Sequence, residues 1–158
     1  MTEMNSSLFY LMSDTTKYLN LIEHNVKLLD LISGIRPDHL KDNDFSDWQV
    51  TIIFYMSCIY LKAVCVLFDE DVQDHYTLRQ LINTRKEIYE DGITKHYRHI
   101  EEASRDARYE GRKFDKVYVE NRILPKFYKV RDRAVKILKE NNVNNIPETN
   151  IDFLLSRL

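Results

Sequence analysis

The sequence predicts an all-α fold, an antiparallel four- to five-helix bundle that forms one domain over residues 1–158. Its 158 residues include only three glycines and three prolines, too few for the frequent turns of a β-rich fold. Between Val50 and Phe68 the only charged residue is Lys62, so a helix there is apolar on nearly every face and must be buried. A chain of this length with 44% hydrophobic residues can fill one core.

The central helix is predicted from Ser46 to Phe68. Ser46 followed by Gln49 matches a capping box, and the acidic run 69–71 ends the helix. A membrane span is the alternative for the nineteen residues 50–68, but Lys62 lies near their middle and no basic cluster flanks them. We therefore expect no membrane association and a core helix whose most buried residues include Trp48, Ile52, Phe54, Tyr55, Ile59 and Val66.

The first helix is predicted from Asp14 to Ser33, after a loosely held arm over residues 1–12. Apolar residues recur at helical spacing through this segment. Gly34 and Pro37 are typical of a helix end. A polar connector over residues 36–45 then reverses the chain before the central helix.

The third and fourth helices are predicted to form a hairpin that turns at Gly92. Asp74 or Thr77 can cap the third helix, which reaches Gly92 and includes the apolar residues 88 and 89. The fourth helix begins at Thr94 and ends at Gly111.

The fifth helix is predicted to begin at Pro125, whose missing N–H costs nothing in a first turn. A narrow apolar stripe on this helix lies opposite a row of lysines and arginines. The core of the domain then covers residues 14–140, and residues 141–158 form a flexible or docking tail.

Charge is distributed unevenly along the chain. Residues 1–94 contain 8 Lys and Arg against 15 Asp and Glu, whereas residues 95–139 contain 14 against 7. A basic region of this kind indicates an anionic partner such as RNA, or attraction between the two halves of the protein. It begins on the exposed face of the predicted fourth helix, which carries Arg98, Arg105 and Arg108.

Sequence motifs for the common cofactors and metals do not occur. There is no phosphate-binding loop, nucleotide-binding glycine pattern, paired Cys-x-x-Cys or zinc-binding His-Glu-x-x-His. His96 and His99 can share a helix face, but no carboxylate at suitable spacing completes a metal site, so we interpret them as surface residues. Cys58 and Cys65 are predicted to be buried thiols in a reducing cytoplasm. We expect no metal and no cofactor.

One group of residues could bind or cleave a phosphate-bearing ligand. The hairpin brings His75 and Arg79 towards Arg105, Arg108 and Tyr109. Guanidinium groups bind phosphate, a neutral imidazole can accept a proton, and a tyrosine ring can stack on a base. The alternative is that the arginines form ordinary ion pairs at one end of the bundle, with Asp71, Asp74 and Glu102.

Several short motifs occur in a distinctive order. Residues 47–57 read Asp-Trp, a short apolar gap, then Phe-Tyr and small or apolar residues. Residues 23–25 (Glu-His-Asn) precede this motif, and residues 107–109 (Ala-Arg-Tyr) follow it, as does the spacing of His75 and Arg79. This order, over about residues 15–112, resembles a prokaryotic branch of the HEPN superfamily of helical-bundle proteins.

The resemblance implies a dimeric protein of a toxin-antitoxin or other defence system. Many HEPN proteins are metal-independent endoribonucleases, and others are non-catalytic partners of nucleotidyltransferases. Catalytic members carry an Arg, four to six intervening residues and a His, and no Arg stands at that distance before any histidine of this chain.

We therefore expect a non-catalytic or degenerate module that binds RNA, a nucleotide or a partner protein, which is nucleotidyltransferase-like or an antitoxin. The alternative is an endoribonuclease with His75 and Arg79 as its catalytic residues. In both cases Arg98, Arg105, Arg108 and Tyr109 would bind the nucleic acid.

A homodimer is also predicted from composition. One small bundle can cover only part of so apolar a helix, and the apolar segments 8–11 and 153–155 need a partner surface.

Overall fold

The computed structural model describes residues 3–34, 45–85 and 92–147, with the side chains of the first range described from 15 to 31. It confirms an all-α bundle, and the described residues contain helices and no strand. The helices are α1 (Glu3–Gly34), α2 (Ser46–Leu67), α3 (His75–Thr84) and α4 (Ile93–Tyr109). The fifth helix, α5, covers residues 116–140 in three consecutive segments, Lys116–Tyr118, Val119–Ile123 and Leu124–Glu140.

Helix α2 is the central helix, as predicted, because α1, α4 and α5 all pack against it. Tyr60 of α2 and Phe127 of α5 pack with their ring centroids 6.2 Å apart, and both are fully buried. Among the described residues, α2 alone is long and apolar enough to cross a membrane, and 78% of its most apolar window is buried inside the protein. That burial is what the core helix of a bundle requires.

The burial predicted for α2 is right for some residues and wrong for others. Phe54 is fully buried, and Ile52 and Ile59 are buried, as predicted. Trp48 is instead 58% exposed and Tyr55 40% exposed. The prediction failed because three neighbouring helices leave one side of α2 open, and residues seven apart lie on the same side. Val66, also predicted to be buried, is only half-buried.

Of the two predicted N-caps, the one at α2 is wrong and the one at α3 is right. Phe45 occupies the N-cap of α2 without a side-chain cap hydrogen bond, and Ser46, the predicted cap, is instead the first residue of the helix. At α3, the Oδ1 atom of Asp74 accepts a 2.7 Å hydrogen bond from the Thr77 backbone N–H, which confirms Asp74 as the cap.

Two helices have different bounds from those predicted. Helix α1 begins at Glu3 and not at Asp14, because residues 3–13 contain no glycine or proline to interrupt it. Helix α3 ends at Thr84, before Gly92, and the predicted helical residues 88 and 89 lie outside the described part of the chain. The Thr94 hydroxyl of α4 donates to the Ile82 carbonyl, which satisfies one of the last acceptors of α3.

The glycines predicted to end helices do lie at helix boundaries. Gly92 has φ +72° and is the N-cap of α4, and Gly111 has φ +61° just after α4. Both lie in the left-handed region, which glycine adopts without steric cost.

Helix α5 begins nine residues before Pro125, which was its predicted start. The helix contains a wider, π-helical turn just before that proline. Residues Val119–Ile123 form a π-helical turn in which the Leu124 N–H bonds to the Val119 carbonyl. A proline ring clashes with the carbonyl four residues earlier in a regular helix, and a wider turn relieves that clash.

After α5 the chain is described as far as residue 147. Val143 and Ile146 pack against the core, so the predicted tail begins as a docked segment. Residues 148–158 lie outside the described chain, as do the side chains of residues 8–11, so the apolar contacts predicted for both stay predictions.

Candidate functional site

Two grooves on the surface contain the charged, titratable and aromatic side chains that could bind a ligand or take part in a reaction. The first, the apolar groove, lies between α1 and α2, with a volume of about 740 Å³. Its walls include Leu21, Leu28, Trp48, Ile52, Tyr55 and Ile59, and Asn25, Cys58, Lys62 and His75 add polar atoms. The second, the arginine groove, lies between α3 and α4, with a volume of about 320 Å³. It is lined by Tyr76, Arg79, Gln80, Asn83, Arg98, Glu101, Glu102 and Arg105.

His75 is the first residue of α3 and faces the apolar groove. Its Nδ1 atom lies 3.6 Å from the Cys58 sulfur, and its ring centroid lies 5.1 Å from that of Phe54. Burial, followed by the positive charges of Lys62 and Arg108, lowers the pKa of His75 below its ordinary value. The imidazole is therefore neutral at neutral pH.

Cys58 connects His75 to the core. Its sulfur lies 3.4 Å from the Tyr97 hydroxyl oxygen, and burial raises the pKa of the Cys58 thiol to about 12. Burial also raises the pKa of Tyr97. Cys58 is thus a protonated thiol at neutral pH, although it lies beside a histidine, and it is not an activated nucleophile. Both cysteines are buried, as predicted, and neither forms a disulfide.

Arg108 is held by the bundle itself. Its Nη1 atom donates a 3.0 Å hydrogen bond to the Tyr55 hydroxyl, and its Nε atom donates to the Ser104 carbonyl at 3.2 Å. The guanidinium carbon lies 5.5 Å from the ring centroids of Phe54 and Tyr55 and 5.0 Å from that of Tyr109. These contacts make Arg108 a link between α4 and α2, and its predicted role in binding RNA stays a prediction.

Arg79 occupies the arginine groove and pairs with a carboxylate that the sequence analysis did not consider. Its Nη1 atom lies 3.6 Å from Glu101 Oε2. Burial raises the pKa of Glu101, while the nearby charges of Arg79 and Arg105 act in the opposite direction. The predicted alternative of ion pairing is therefore right for Arg79, but its partner is Glu101 and not Asp71, Asp74 or Glu102.

Arg98 and Arg105 are exposed and lie seven residues apart on α4, so both face the arginine groove. Neither forms an ion pair within the described ranges. Tyr76 is exposed at the rim of the same groove. The exposed side chains of the groove are therefore Tyr76, Gln80, Arg98, Glu102 and Arg105.

The predicted constellation is consequently divided between two places. His75 and Arg108 lie on the α2 side, where Phe54 contacts both. Arg79 and Arg105 lie in the arginine groove, together with Arg98. Tyr109 is exposed and contacts Arg108 alone among the predicted residues. Tyr55, Tyr76 and Glu101 were not predicted as site residues, and for Glu101 a usable signal was its position one turn after the buried Tyr97.

His96 and His99 are not the simple surface residues that the sequence predicted. Both are half-buried, and His96 Nδ1 and His99 Nε2 are buried without a hydrogen-bond partner. Burial lowers the pKa of each, and the charge of Lys126 on α5 acts in the same direction. Within the described ranges, no cluster of three or more His, Cys, Asp or Glu side chains could hold a metal ion.

Comparisons with protein-family models, with curated proteins and with solved structures give no match to this chain.

Proposed function

We propose that this chain is a non-catalytic binding module of the HEPN type, which binds a phosphate-bearing ligand such as RNA or a nucleotide in the arginine groove. The observation that carries the proposal is the pair Arg98 and Arg105, two exposed guanidinium groups that share one groove with Glu101 and Glu102 and form no ion pair in the described chain. Guanidinium groups bind phosphate oxygens with two parallel hydrogen bonds. Tyr76 at the rim adds a ring on which a base can stack.

The position of His75 favours binding over catalysis. Cleavage of RNA without a metal needs a proton acceptor beside the 2′-hydroxyl and a cation on the same phosphate. His75 faces the apolar groove, where Cys58 and Phe54 contact its ring. The two exposed arginines line a different groove, and Arg108, the arginine on the His75 side, is bonded to Tyr55 and Ser104. Two buried cysteine thiols are compatible with the location proposed for the protein, the reducing cytoplasm.

The experiment measures binding of labelled single-stranded RNA in EDTA for the wild type and for Arg98→Ala/Arg105→Ala. The double variant should bind at least about tenfold more weakly, and the slope of log K against log salt should become shallower by about 1.4, since each lost phosphate contact contributes about 0.7. A matched control is Lys136→Ala/Lys139→Ala, which removes two exposed cations of α5 outside the groove and should leave the slope unchanged.

The same reactions distinguish the other functions. Cleavage that disappears in His75→Gln and Arg79→Ala would identify a metal-independent endoribonuclease and contradict the proposal. If RNA and nucleotides neither bind nor are cleaved, the proposed ligand is wrong. The protein partner implied by the HEPN resemblance, nucleotidyltransferase-like or an antitoxin, is then the next to test.

A further inference from the structure

His96 and His99 lie on the side of α4 that packs against α5, and both rings are half-buried. One nitrogen of each ring, His96 Nδ1 and His99 Nε2, is buried without a hydrogen-bond partner in the described chain. A buried polar atom that lacks a partner costs free energy, so native proteins contain few of them. Two such atoms three residues apart on one helix call for a functional explanation.

The other nitrogen of each ring is the one that can meet a ligand. Burial lowers the pKa of both histidines, so both rings are neutral at neutral pH. A neutral imidazole carries one proton, and an N–H that faces water is more stable than an N–H buried without an acceptor. We therefore assign the protons to His96 Nε2 and His99 Nδ1, so each ring presents one N–H donor towards the surface.

Lys126 of α5 adds a cation beside both rings. Its side chain is half-buried, and its Nζ atom donates a 2.7 Å hydrogen bond to the Arg122 carbonyl. An ammonium group has three N–H donors, so two remain for a ligand. Burial, followed by the charges of Arg122 and Lys95, lowers the pKa of Lys126. The cation is therefore held among other positive charges, and an anion would relieve their repulsion.

The surroundings of the two histidines are mostly positive. Besides the histidines themselves, the charged residues of the described chain that act on the two rings are Lys95, Glu102, Arg122, Lys126 and Lys129. Glu102 is the one carboxylate of this set, and it acts on His99. The first turn of α4 contains Lys95 and no acidic residue, although the helix macrodipole favours negative charge there.

We propose that the surface formed by His96, His99 and Lys126, the histidine site, binds a phosphate dianion, either inorganic phosphate or the terminal phosphate of a nucleotide. One N–H of each imidazole and two N–H groups of the ammonium would donate to the phosphate oxygens. Donors that come from two helices suit a tetrahedral ion with three or four free oxygens better than a carboxylate, which has two. The positive surroundings oppose a metal cation, the other ligand that a pair of histidines suggests.

The histidine site lies on a different side of α4 from the arginine groove. Arg98 and Arg105 face α3, whereas His96 and His99 face α5. The histidine site therefore goes beyond the proposed function and does not rest on it. Substitutions at residues 98 and 105 test the groove, and substitutions at residue 126 test the histidine site.

Anion binding at the histidine site should depend on pH. The positive charges that surround the rings lower the pKa of both histidines, after burial, and a bound dianion offsets those charges. The bound ion should therefore raise both pKa values. By linkage, protonation of the rings should strengthen binding, so affinity should increase as pH falls.

The first experiment follows the histidine ring protons by NMR during pH titrations in sulfate and in chloride at equal ionic strength. Sulfate stands in for phosphate because it keeps two negative charges throughout the range in which histidine titrates. The midpoints of His96 and His99 should lie at least about 0.5 pH higher in sulfate. The internal control is His24, an exposed residue of α1, whose midpoint should not depend on the anion. Equal midpoints for His96 and His99 in the two salts would overturn the proposal.

The second experiment measures the affinity for inorganic phosphate and for adenosine monophosphate from the same His96 and His99 signals at pH 7. Lys126→Gln should weaken binding of both at least about tenfold, because it removes a charge-assisted hydrogen bond. Lys126→Arg keeps the charge and should stay within about fivefold of the wild type. The matched control is Lys139→Gln, an exposed change on the same helix, which should have no effect.

The two ligands distinguish the source of the phosphate. Equal affinities would identify the free ion, and tighter binding of adenosine monophosphate by at least about tenfold would identify a nucleotide. Arg98→Ala/Arg105→Ala should leave the phosphate affinity within about twofold. Phosphate binding that is lost in this double variant and kept in Lys126→Gln would place the ion in the arginine groove, which would overturn the histidine site and support the proposed function.

Discussion

The apolar groove and the arginine groove are built from neighbouring helices but depend on different interactions. Along the apolar groove, Leu21 and Trp48 expose nonpolar surface. Burial of such surface is favourable in proportion to the area removed from water, and the hydrophobic effect does not depend on the orientation of the contacting groups. In the arginine groove, Arg79 already pairs with Glu101, whereas Arg98 has no such partner in the described chain. The first surface requires only apolar side chains on a side of two helices that no other helix covers, whereas the second depends on which carboxylate each arginine reaches.

The largest effect should come from comparing two aromatic residues of α2. Phe54 is fully buried against His75 and Tyr97, so Phe54→Ala should lower the free energy of unfolding by about 3–5 kcal/mol. Trp48→Ala removes an exposed ring and should cost the monomer less than about 1 kcal/mol. Urea unfolding at a concentration that keeps the protein monomeric measures both. Equal losses would mean that Trp48 is covered within one chain.

A smaller effect should come from the hydrogen bond between Arg108 of α4 and Tyr55 of α2. Tyr55→Phe removes the hydroxyl that accepts from Arg108 and should lower the free energy of unfolding by about 0.5–1.5 kcal/mol in the same monomer assay. Tyr109→Phe is the control, because that ring is highly exposed and its contact with Arg108 does not use the hydroxyl. If both substitutions are neutral, Arg108 is not held by Tyr55 and is available to a ligand.

The smallest effect should come from acid. Burial lowers the pKa of His96 and His99 in the folded state, so the unfolded state takes up protons first as pH falls. Their contribution to stability is complete above the ordinary histidine pKa of about 6.5 and is lost as pH falls through the lower folded value. The melting temperature should drop between pH 7.5 and 5.5.

In His96→Gln/His99→Gln that drop should be smaller, because two of the groups that drive it are gone. The control is His24→Gln, a change at an exposed position of α1. An unaltered drop in the double variant would mean that other groups cause the acid sensitivity, and His75, whose pKa burial also lowers, would be the next residue to substitute.

Local signals in the sequence were sufficient for much of the fold. The positive φ angles of Gly92 and Gly111 and the Asp74 cap are properties of a few neighbouring residues, and each lies at a helix boundary. The exposure of Trp48 and Tyr55 could not be predicted in this way. A helix that is apolar all round does not indicate which of its sides will lack a neighbour, since that depends on where three other helices pack.

The candidate site was less predictable for a related reason. Spacing places Arg98 and Arg105 on one face of α4, and the structure agrees. It does not fix how the short helix α3 is rotated, and that rotation turns His75 towards Cys58 and Arg79 towards Glu101. Contacts between residues 17 and 22 positions apart depend on tertiary packing, which helical periodicity does not contain.

Because both cysteines are buried, the rate at which their thiols are labelled can measure transient opening of the bundle. Thiolates react with alkylating reagents and protonated thiols hardly do, so Cys58, with its pKa of about 12, is protected both by its environment and by its proton. Labelling of Cys58 or Cys65 in the native protein must then wait for a transient separation of α2 from its neighbours. The rate of that labelling reports how often the centre of the bundle opens.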